Sequence, residues 1–253
     1  MTFPVLICIP HGGTKVPIEL KERVIISDKD LFDDNDSFTK EIYDLSSGVT
    51  QIIYSDYARA FIDMNRNIDD LPPKVPDGII KSTTCYQRPI YKEGKEPDIQ
   101  LTKNLIEKYY KPYHNKIKDA ISKRSLKIAL DCHSMAATGP SISPDVGRKR
   151  PVICLGNCFG KSCPRDMTEK LARCFEKGFK LSPEEILLND PFTGKYTTKK
   201  YGNKPIPWVH VELNRKLFLD EPWFDRNSLS IDRTRLFELN SMFAETLRLY
   251  FES

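Results

Sequence analysis

Two apolar runs that each end in a histidine constrain the fold of this chain most. The run VLICIP at residues 5–10 precedes His11, and the run IALDC at residues 128–132 precedes His133. Such runs are typical of buried strands, and open α/β sheets bind ligands outside the carboxyl ends of their strands. The two glycines after His11 would let the backbone turn and approach a ligand. We therefore expect two of the four histidines to be ligands of one metal ion.

Strand-like and helix-like segments alternate along the whole sequence. Residues 164–177 and 232–250 place apolar side chains on one helical face, and a helix with an acidic start is predicted for residues 33–45. Residues 191–207 are predicted to form a long loop. This alternation favours an α/β fold in three layers, with a sheet between two layers of helices. Since no repeat or linker interrupts the pattern, we predict a single domain spanning residues 1–253.

The composition is that of an ordinary globular chain, and it argues against several classes of function. Hydrophobic residues make up 40% and charged residues 29%, with a net charge of +4. There is no stripe of lysine and arginine interleaved with aromatic residues, so we do not expect nucleic-acid binding. No apolar window of about 20 residues is present, so no membrane span is expected. The first residues also lack the features of a signal peptide.

Seven cysteines bear on the redox environment. Several lie within apolar strand patterns, where a free thiol behaves as a small hydrophobic side chain. Cys154, Cys158 and Cys163 lack the paired CxxC spacing of a zinc site. We therefore expect free thiols and a cytoplasmic protein.

The acidic run Asp33-Asp34-Asn35-Asp36 offers a third ligand for the metal. A carboxylate commonly joins two histidines in catalytic zinc sites. Acidic residues at the start of a helix also cap it and interact favourably with its dipole, so the run has a structural explanation as well. The residues alone leave three acidic candidates.

Polar side chains occupy one face of two predicted strands. Asp131 lies two residues before His133 and so shares its face, where it either orients the imidazole or caps the strand end. His210 and Glu212 share one face of the strand predicted for residues 208–213. Burying a glutamate there is costly unless it is paired with an arginine or functional. A general base that activates a metal-bound water is the functional explanation.

Asn65 and Arg66 follow a short strand predicted for residues 60–63. A guanidinium group beside an amide suits a substrate carboxylate, which it can bind through two hydrogen bonds. An ordinary surface arginine is the alternative. No GxSxG, GxGxxG or phosphate-binding loop is present, so serine-hydrolase chemistry and nucleotide binding have no motif support.

Several short sequences of this chain, taken together, resemble those of the N-formylglutamate amidohydrolase family. They occur in the family's order and cover residues 5 to about 222. The matching sequences are PHGG at 10–13, Asp36 with Thr39 and Ile42, Arg59 with DMNR at 63–66, YKPYH at 110–114, DCHSM at 131–135, TGKY at 193–196 and ELNR at 212–215.

The resemblance implies a fold and a metal site. The family is related to zinc carboxypeptidases and aspartoacylases, which implies a mixed central sheet with helices on both faces. It also implies one catalytic Zn²⁺ bound by His11, Asp36 and His133. Asp34 is the alternative to Asp36 as the acidic ligand. Glu212 is then expected to be the general base.

The resemblance also implies where substrate binds, and there the sequence departs from the family. Asn65 and Arg66 are expected to hold a substrate carboxylate. Lys195 stands where the family usually has a glycine, and Lys199 stands where it has an arginine. Position 210 is more often glutamine than histidine. We expect Lys195, Lys199 and His210 to contact substrate, so these departures fall where substrate is recognised and leave the metal ligands intact.

These features predict a zinc-dependent amidohydrolase that acts on a small N-acyl amino acid. N-formyl-L-glutamate, cleaved to formate and L-glutamate, is the first expected substrate. One alternative is a carboxypeptidase-like enzyme or deacylase acting on another N-acyl amino acid or peptide. A second is a non-catalytic metal-binding protein, which would have no need of a base at Glu212.

Overall fold

Apolar strands with alternating side chains build a six-stranded sheet in the computed structural model, which describes residues 2–123 and 125–252. The strands of this sheet are β1 (Phe3–Ile9), β2 (Val49–Tyr54), β3 (Ile128–Met135), β4 (Ile153–Gly156), β5 (Ile186–Leu188) and β6 (Trp208–Asn214). Their order across the sheet is β2-β1-β3-β6-β4-β5. A second, two-stranded sheet pairs β7 (Phe224–Asp225) with β8 (Ser230–Ile231).

The main sheet is mixed. Strands β2, β1, β3 and β6 run parallel to one another, and β4 runs antiparallel to β6 while pairing in parallel with β5. The carboxyl ends of β1, β3 and β6 therefore meet at one edge of the sheet, where open α/β sheets bind their ligands.

Helices cover both faces of the sheet. They are α1 (Asp28–Asp34), α2 (Thr39–Tyr43), α3 (Ile99–Leu105), α4 (Lys111–Ile121), α5 (Arg165–Phe179), α6 (Tyr196–Tyr201) and α7 (Arg233–Glu252). A π-helical turn, Ile106–Tyr110, joins α3 to α4. Short 3₁₀ turns span Ile18–Leu20, Pro183–Glu185 and Arg215–Leu217. None of the described helices is both long enough and apolar enough to span a bilayer.

Two hydrophobic cores lie on opposite faces of the sheet, and β1 contributes to both. Val5, Ile7 and Ile9 pack with residues of α2, α5 and α7. Leu6 and Cys8 pack with residues of α3, α4 and the π-helical turn. Successive side chains of a strand point to opposite faces, so one apolar strand supplies both cores. The predicted three-layer α/β fold with a mixed central sheet is confirmed.

The prediction of a single helix over residues 33–45 is wrong. The chain instead forms α1 and α2, separated by residues 35–38, and Phe38 adopts a left-handed backbone conformation with φ of +63°. The ring of Phe38 packs edge-on against Phe32 and Phe224. Tertiary packing thus overrides the helical spacing of the apolar residues. As a result, the acidic run lies at a break between helices.

The short strand predicted for residues 60–63 is also wrong. Residues 59–61 form a turn, in which the amide of Phe61 donates to the carbonyl of Ala58. A short apolar run is buried equally well in a covered turn, so its pattern does not identify a strand. The loop predicted for residues 191–207 is interrupted by α6.

Gly13 packs directly against the backbone of a neighbouring loop. A Cβ added at Gly13 would lie 2.3 Å from the carbonyl carbon of Asp56 and 2.5 Å from the carbonyl oxygen of Ser55. The absence of a side chain therefore allows the segment that carries His11 to dock against the end of β2.

We predict that Gly13→Ala lowers the free energy of unfolding by about 1–3 kcal/mol, because the added methyl group displaces the backbone at residues 55–56. Gly48→Ala is the matched control, since the nearest atom to its added Cβ is the carbonyl oxygen of Leu45 at 3.7 Å. We expect that control to change stability by less than about 0.5 kcal/mol. Urea denaturation measures both values, and equal losses would contradict the packing argument.

Candidate active site

Strand register places the polar side chains of the site next to one another. In the parallel pairing of β3 with β6, Asp131 lies opposite His210 and His133 lies opposite Glu212. On the other side of β3, Asp131 lies opposite Cys8 of β1, and His11 comes just after β1, separated from it by Pro10. Three neighbouring strands therefore deliver their polar residues to one end of the sheet.

The break between α1 and α2 brings Asp36 to the same place. The amide of Asp36 donates to the carbonyl of His11 (3.2 Å), which fixes the loop against the end of β1. The carbonyl of Asp36 accepts from the amide (3.2 Å) and the hydroxyl (2.5 Å) of Thr39 at the start of α2. The residue is thus held by both its neighbours, and its carboxylate points to the histidines.

His11, Asp36 and His133 converge on one point. Oδ2 of Asp36 lies 2.9 Å from Nδ1 of His133 and 3.4 Å from Nδ1 of His11. One ligand atom from each residue lies within 4.8 Å of the others, and all three residues are buried. Asp34 is outside this group, and its Oδ1 accepts from the amide of Cys85 (2.7 Å). The structure therefore brings the expected ligand set together with Asp36 as its carboxylate.

In both His11 and His133, the Nε2 atom already contacts a polar side chain. Nε2 of His11 lies 2.7 Å from Oδ1 of Asp63, and Nε2 of His133 lies 3.2 Å from Oδ1 of Asp131 and 3.0 Å from Nδ2 of Asn65. Such contacts to the second ring nitrogen orient metal-binding histidines and fix their tautomers.

The residues fit a metal ion. Nδ1 of His11 is buried and makes no hydrogen bond within the described residues. Burial lowers the pKa of His133, but Asp131 and Asp36 raise it more strongly, to about 10. The carboxylates around this imidazole thus favour a positive charge, which a cation can supply.

A second group of potential ligands, Asp131, His133 and His210, lies next to the first. The two groups share His133, whose Nδ1 faces Asp36. Oδ2 of Asp131 already accepts from the hydroxyl of Thr198 (2.9 Å). The first group is therefore the better metal site, and Asp131 acts as a hydrogen-bond partner for His133.

Arg215 is a further residue of the site, with no role expected from the sequence. Its Nη2 donates to Oδ1 of Asp36 (3.0 Å), and its Nε donates to the hydroxyl of Ser134 (3.1 Å). Because Arg215 occupies Oδ1, the other oxygen of Asp36 faces the histidines. The sequence signal for Arg215 is its place in the ELNR sequence at 212–215, next to Glu212.

Asp63 and Lys81 are two further residues of the site, with no role expected from the sequence. Lys81 is almost fully buried, and its Nζ lies 3.0 Å from Oδ2 of Asp63 and 2.9 Å from Oδ1 of Asp77. Burial alone would raise the pKa of Asp63, but nearby charges, led by that of Arg66, hold it well below the ordinary value. Asp63 therefore remains ionised opposite His11. Lys81 lies in a long loop outside any motif, so no pattern in the sequence points to its contact with Asp63.

Glu212 presents one free oxygen. Its Oε1 lies 2.9 Å from Nε2 of His210, whereas its buried Oε2 makes no hydrogen bond in the part of the chain that the structure describes. Glu212 and the three converging residues line the same pocket of about 510 Å³. Oε2 is therefore a buried acceptor without a hydrogen-bond partner on a residue that lines the pocket.

The walls of this pocket carry several cationic side chains, most of which are neutralised. Arg148 donates two hydrogen bonds to Asp190 (2.8 and 2.7 Å), and Arg150 donates two to Asp145 (2.8 and 2.9 Å). Among the residues described, Lys195 forms no ion pair, and its Nζ lies 5.7 Å from the centre of the Phe192 ring. Lys195 is therefore the pocket cation most available to an anionic ligand.

The structure separates the other residues expected to bind substrate. Arg66 lines the pocket and binds the side chain of Asp77 (2.6 Å), while His210 lines it beside Glu212. Asn65 is fully buried outside the pocket lining, where its side chain donates to Asp131 (3.3 Å) and accepts from the amide of Thr197 (2.8 Å). Lys199 is exposed on α6 and does not line the pocket.

Comparison with known proteins identifies the family. The family model for N-formylglutamate amidohydrolase matches residues 3–219. N-formylglutamate deformylase from Pseudomonas putida is 26% identical over 228 residues, which cover 87% of this chain and 83% of that protein. The Pseudomonas aeruginosa enzyme of the same name is 26% identical over 230 residues, which cover 86% of this chain and 83% of that protein.

The fold agrees with this family. The crystal structure of N-formylglutamate amidohydrolase from Ralstonia eutropha superimposes with a TM-score of 0.80 and 19% identity, covering 99% of this chain and 94% of that one. Since the family model spans most of the sequence, the chain belongs to the N-formylglutamate amidohydrolase family, and it is a hydrolase that acts on amide bonds.

Proposed function

We propose that this protein hydrolyses N-formyl-L-glutamate to formate and L-glutamate. The observation that carries the proposal is a shared pocket, in which the free Oε2 of Glu212 accompanies the converging atoms of His11, Asp36 and His133. The names of the two Pseudomonas relatives and of the Ralstonia structure support this choice of substrate.

We propose Zn²⁺ as the metal. Two imidazole nitrogens and one carboxylate oxygen are a donor set of catalytic zinc sites, which leave a fourth position open for water. His11 and His133 would each offer Nδ1, and Asp36 would offer Oδ2. When bound there, Zn²⁺ supplies Lewis-acid chemistry, lowering the pKa of water and polarising a carbonyl oxygen.

Glu212 is the proposed general base. Its Oε2 takes a proton from the attacking water as the water oxygen bonds to the formyl carbon. When the C–N bond breaks, the same carboxyl group gives the proton to the leaving nitrogen. Glu212 returns to its ionised state, and the products are glutamate with a free amino group and formic acid, which ionises to formate.

Lys195 is the proposed partner of one substrate carboxylate. It lines the pocket without an ion pair among the described residues, so binding an anion does not require it to break an existing contact. Arg66 is proposed for the second carboxylate, since it lines the same wall and its partner Asp77 is half exposed. We do not propose Asn65 or Lys199 as a partner of either substrate carboxylate, because neither lines the pocket.

A cytoplasmic location is also proposed. All seven cysteines are free thiols, and four of them, Cys8, Cys132, Cys163 and Cys174, pack in the two hydrophobic cores. Free thiols in this number are typical of proteins in a reducing compartment.

Metal removal tests the proposed site. We predict that the zinc-loaded protein releases formate from N-formyl-L-glutamate, that a chelator abolishes this activity, and that added Zn²⁺ restores it. Metal analysis should find about one equivalent of bound zinc. Asp36→Asn should lose most of the metal, whereas the matched control Asp34→Asn should retain it. If the zinc-loaded protein cleaves neither this compound nor any member of a panel of N-acyl amino acids, the proposed function is wrong.

Glu212→Gln tests the base. We predict a fall in kcat of about 10²–10⁴-fold, because the amide cannot accept the proton from water. Zinc content should stay unchanged, since Glu212 is not among the proposed ligands. Glu238→Gln, on the half-exposed surface of α7, is the control and should leave kcat unchanged. A Glu212→Gln variant with wild-type kcat would remove Glu212 from the mechanism.

Lys195→Met tests recognition of the carboxylate. We predict a rise in KM for N-formyl-L-glutamate of about tenfold, which corresponds to about 1.4 kcal/mol of lost binding. Lys199→Met is the matched control on the same helical segment, and its KM should not change because Lys199 lies outside the pocket lining. Steady-state kinetics of both variants decide the assignment, and equal KM values would exclude Lys195 as the carboxylate partner.

A further inference from the structure

His210 connects the proposed base to the hydrogen-bond network behind the metal ligands. It is fully buried in β6. Its Nε2 lies 2.9 Å from Oε1 of Glu212, and its Nδ1 lies 3.4 Å from Oδ2 of Asp131. Because an ionised carboxylate oxygen can only accept a hydrogen bond, the short contact with Glu212 is one in which the Nε2–H group of His210 donates to Oε1.

The two contacts of His210 differ in importance. Asp131 has other donors, since its Oδ2 accepts from the hydroxyl of Thr198 (2.9 Å) and the amide of Asn65 (3.3 Å). Glu212 has no second donor. Within residues 2–123 and 125–252, the bond from His210 is the one hydrogen bond to its carboxylate. The orientation of Glu212 therefore depends on Nε2 of His210 far more than the orientation of Asp131 depends on Nδ1.

The imidazole of His210 is itself held in place. Its ring centre lies 4.6 Å from that of His133 and 6.2 Å from that of Phe192. Its backbone is paired on both sides, opposite Asp131 in β3 and opposite Gly156 in β4. A side chain packed in this way presents its N–H group at a fixed point, which suits it to orient a neighbouring group.

We propose that His210 is a positioning residue for catalysis. Its Nε2–H group holds Oε1 of Glu212, so that Oε2, the oxygen without a hydrogen bond, is aimed into the pocket. This inference rests on the proposed function, because it takes Glu212 to be the base. It separates His210 from the substrate contacts, since its role is exerted through Glu212.

Two amide substitutions test the inference, because each retains only one of the two contacts. The amide nitrogen of glutamine reaches about as far from the backbone as Nε2 of histidine, and that of asparagine about as far as Nδ1. His210→Gln therefore keeps a donor for Glu212, and His210→Asn loses it. We expect His210→Gln to retain kcat within about threefold, and His210→Asn to lose about 10–100-fold in kcat with KM changed by less than about twofold.

Two further measurements separate positioning from a general loss of structure. In a Glu212→Gln background, His210→Asn should cause no additional loss of kcat, because the group that it positions is already gone. Crystal structures of the two single variants should show Oε1 of Glu212 within hydrogen-bond distance of the new amide in His210→Gln and rotated away in His210→Asn. This structural comparison needs no substrate, so it tests the positioning role even if N-formyl-L-glutamate is not cleaved.

The outcomes test the positioning role of His210 and the proposed function separately. Equal kcat values for the two amide variants, or an unmoved Glu212 in His210→Asn, would overturn the positioning role and leave the proposed function standing. An inactive wild-type protein with the expected movement of Glu212 would overturn the proposed function and leave the positioning role standing.

Discussion

The parallel register of β3 with β6 is the constraint on which the site depends. It sets His133 beside Glu212 and Asp131 beside His210. Side chains alternate between the faces of a sheet, so a slip of one residue would move all the polar groups of one strand into the opposite core. The apolar residues that alternate with them on β6, Val209, Val211 and Leu213, lie in the core formed with α5 and α7. Burial of these residues therefore fixes the register, and the register fixes the site.

Buried charge is the second constraint. Asp36, Asp63 and Asp131 are almost inaccessible to water, and an unpaired carboxylate in such a place is very costly. The cost is offset locally, by Arg215 at Asp36 and by Lys81 at Asp63. Removing one partner of such a pair is more destabilising than replacing both, because a bare charge remains. The network consequently orients the imidazoles of His11 and His133 through their Nε2 atoms.

The sequence predicted the parts of the site that depend on local pattern. Apolar runs and the alternation of two residues predicted β1, β3 and β6 and the shared face of His210 and Glu212. The position of Asp36 depends instead on a helix break at Phe38, where ring packing outweighs helical spacing. Lys81 reaches Asp63 from a loop distant in sequence, and no local signal reports such a contact. Tertiary packing thus determines the position of Asp36 and the contact of Lys81 with Asp63, and local sequence patterns do not predict either one.

Chemistry and selectivity occupy different kinds of structure in this protein. The groups proposed to act on the amide bond lie on strand ends or on a loop docked against them, whereas Lys195, Arg148 and Arg150 lie on segments that wall the pocket. Arg148 binds Asp190, so two of these walls are joined to each other through side chains instead of through the sheet. A substitution on the walls therefore leaves the strand register and the ligand geometry intact. For this reason we expect the departure from the family pattern at Lys195 to bear on which acyl amino acid is bound, whereas the proposed ligand set and the proposed base bear on whether an amide is cleaved at all.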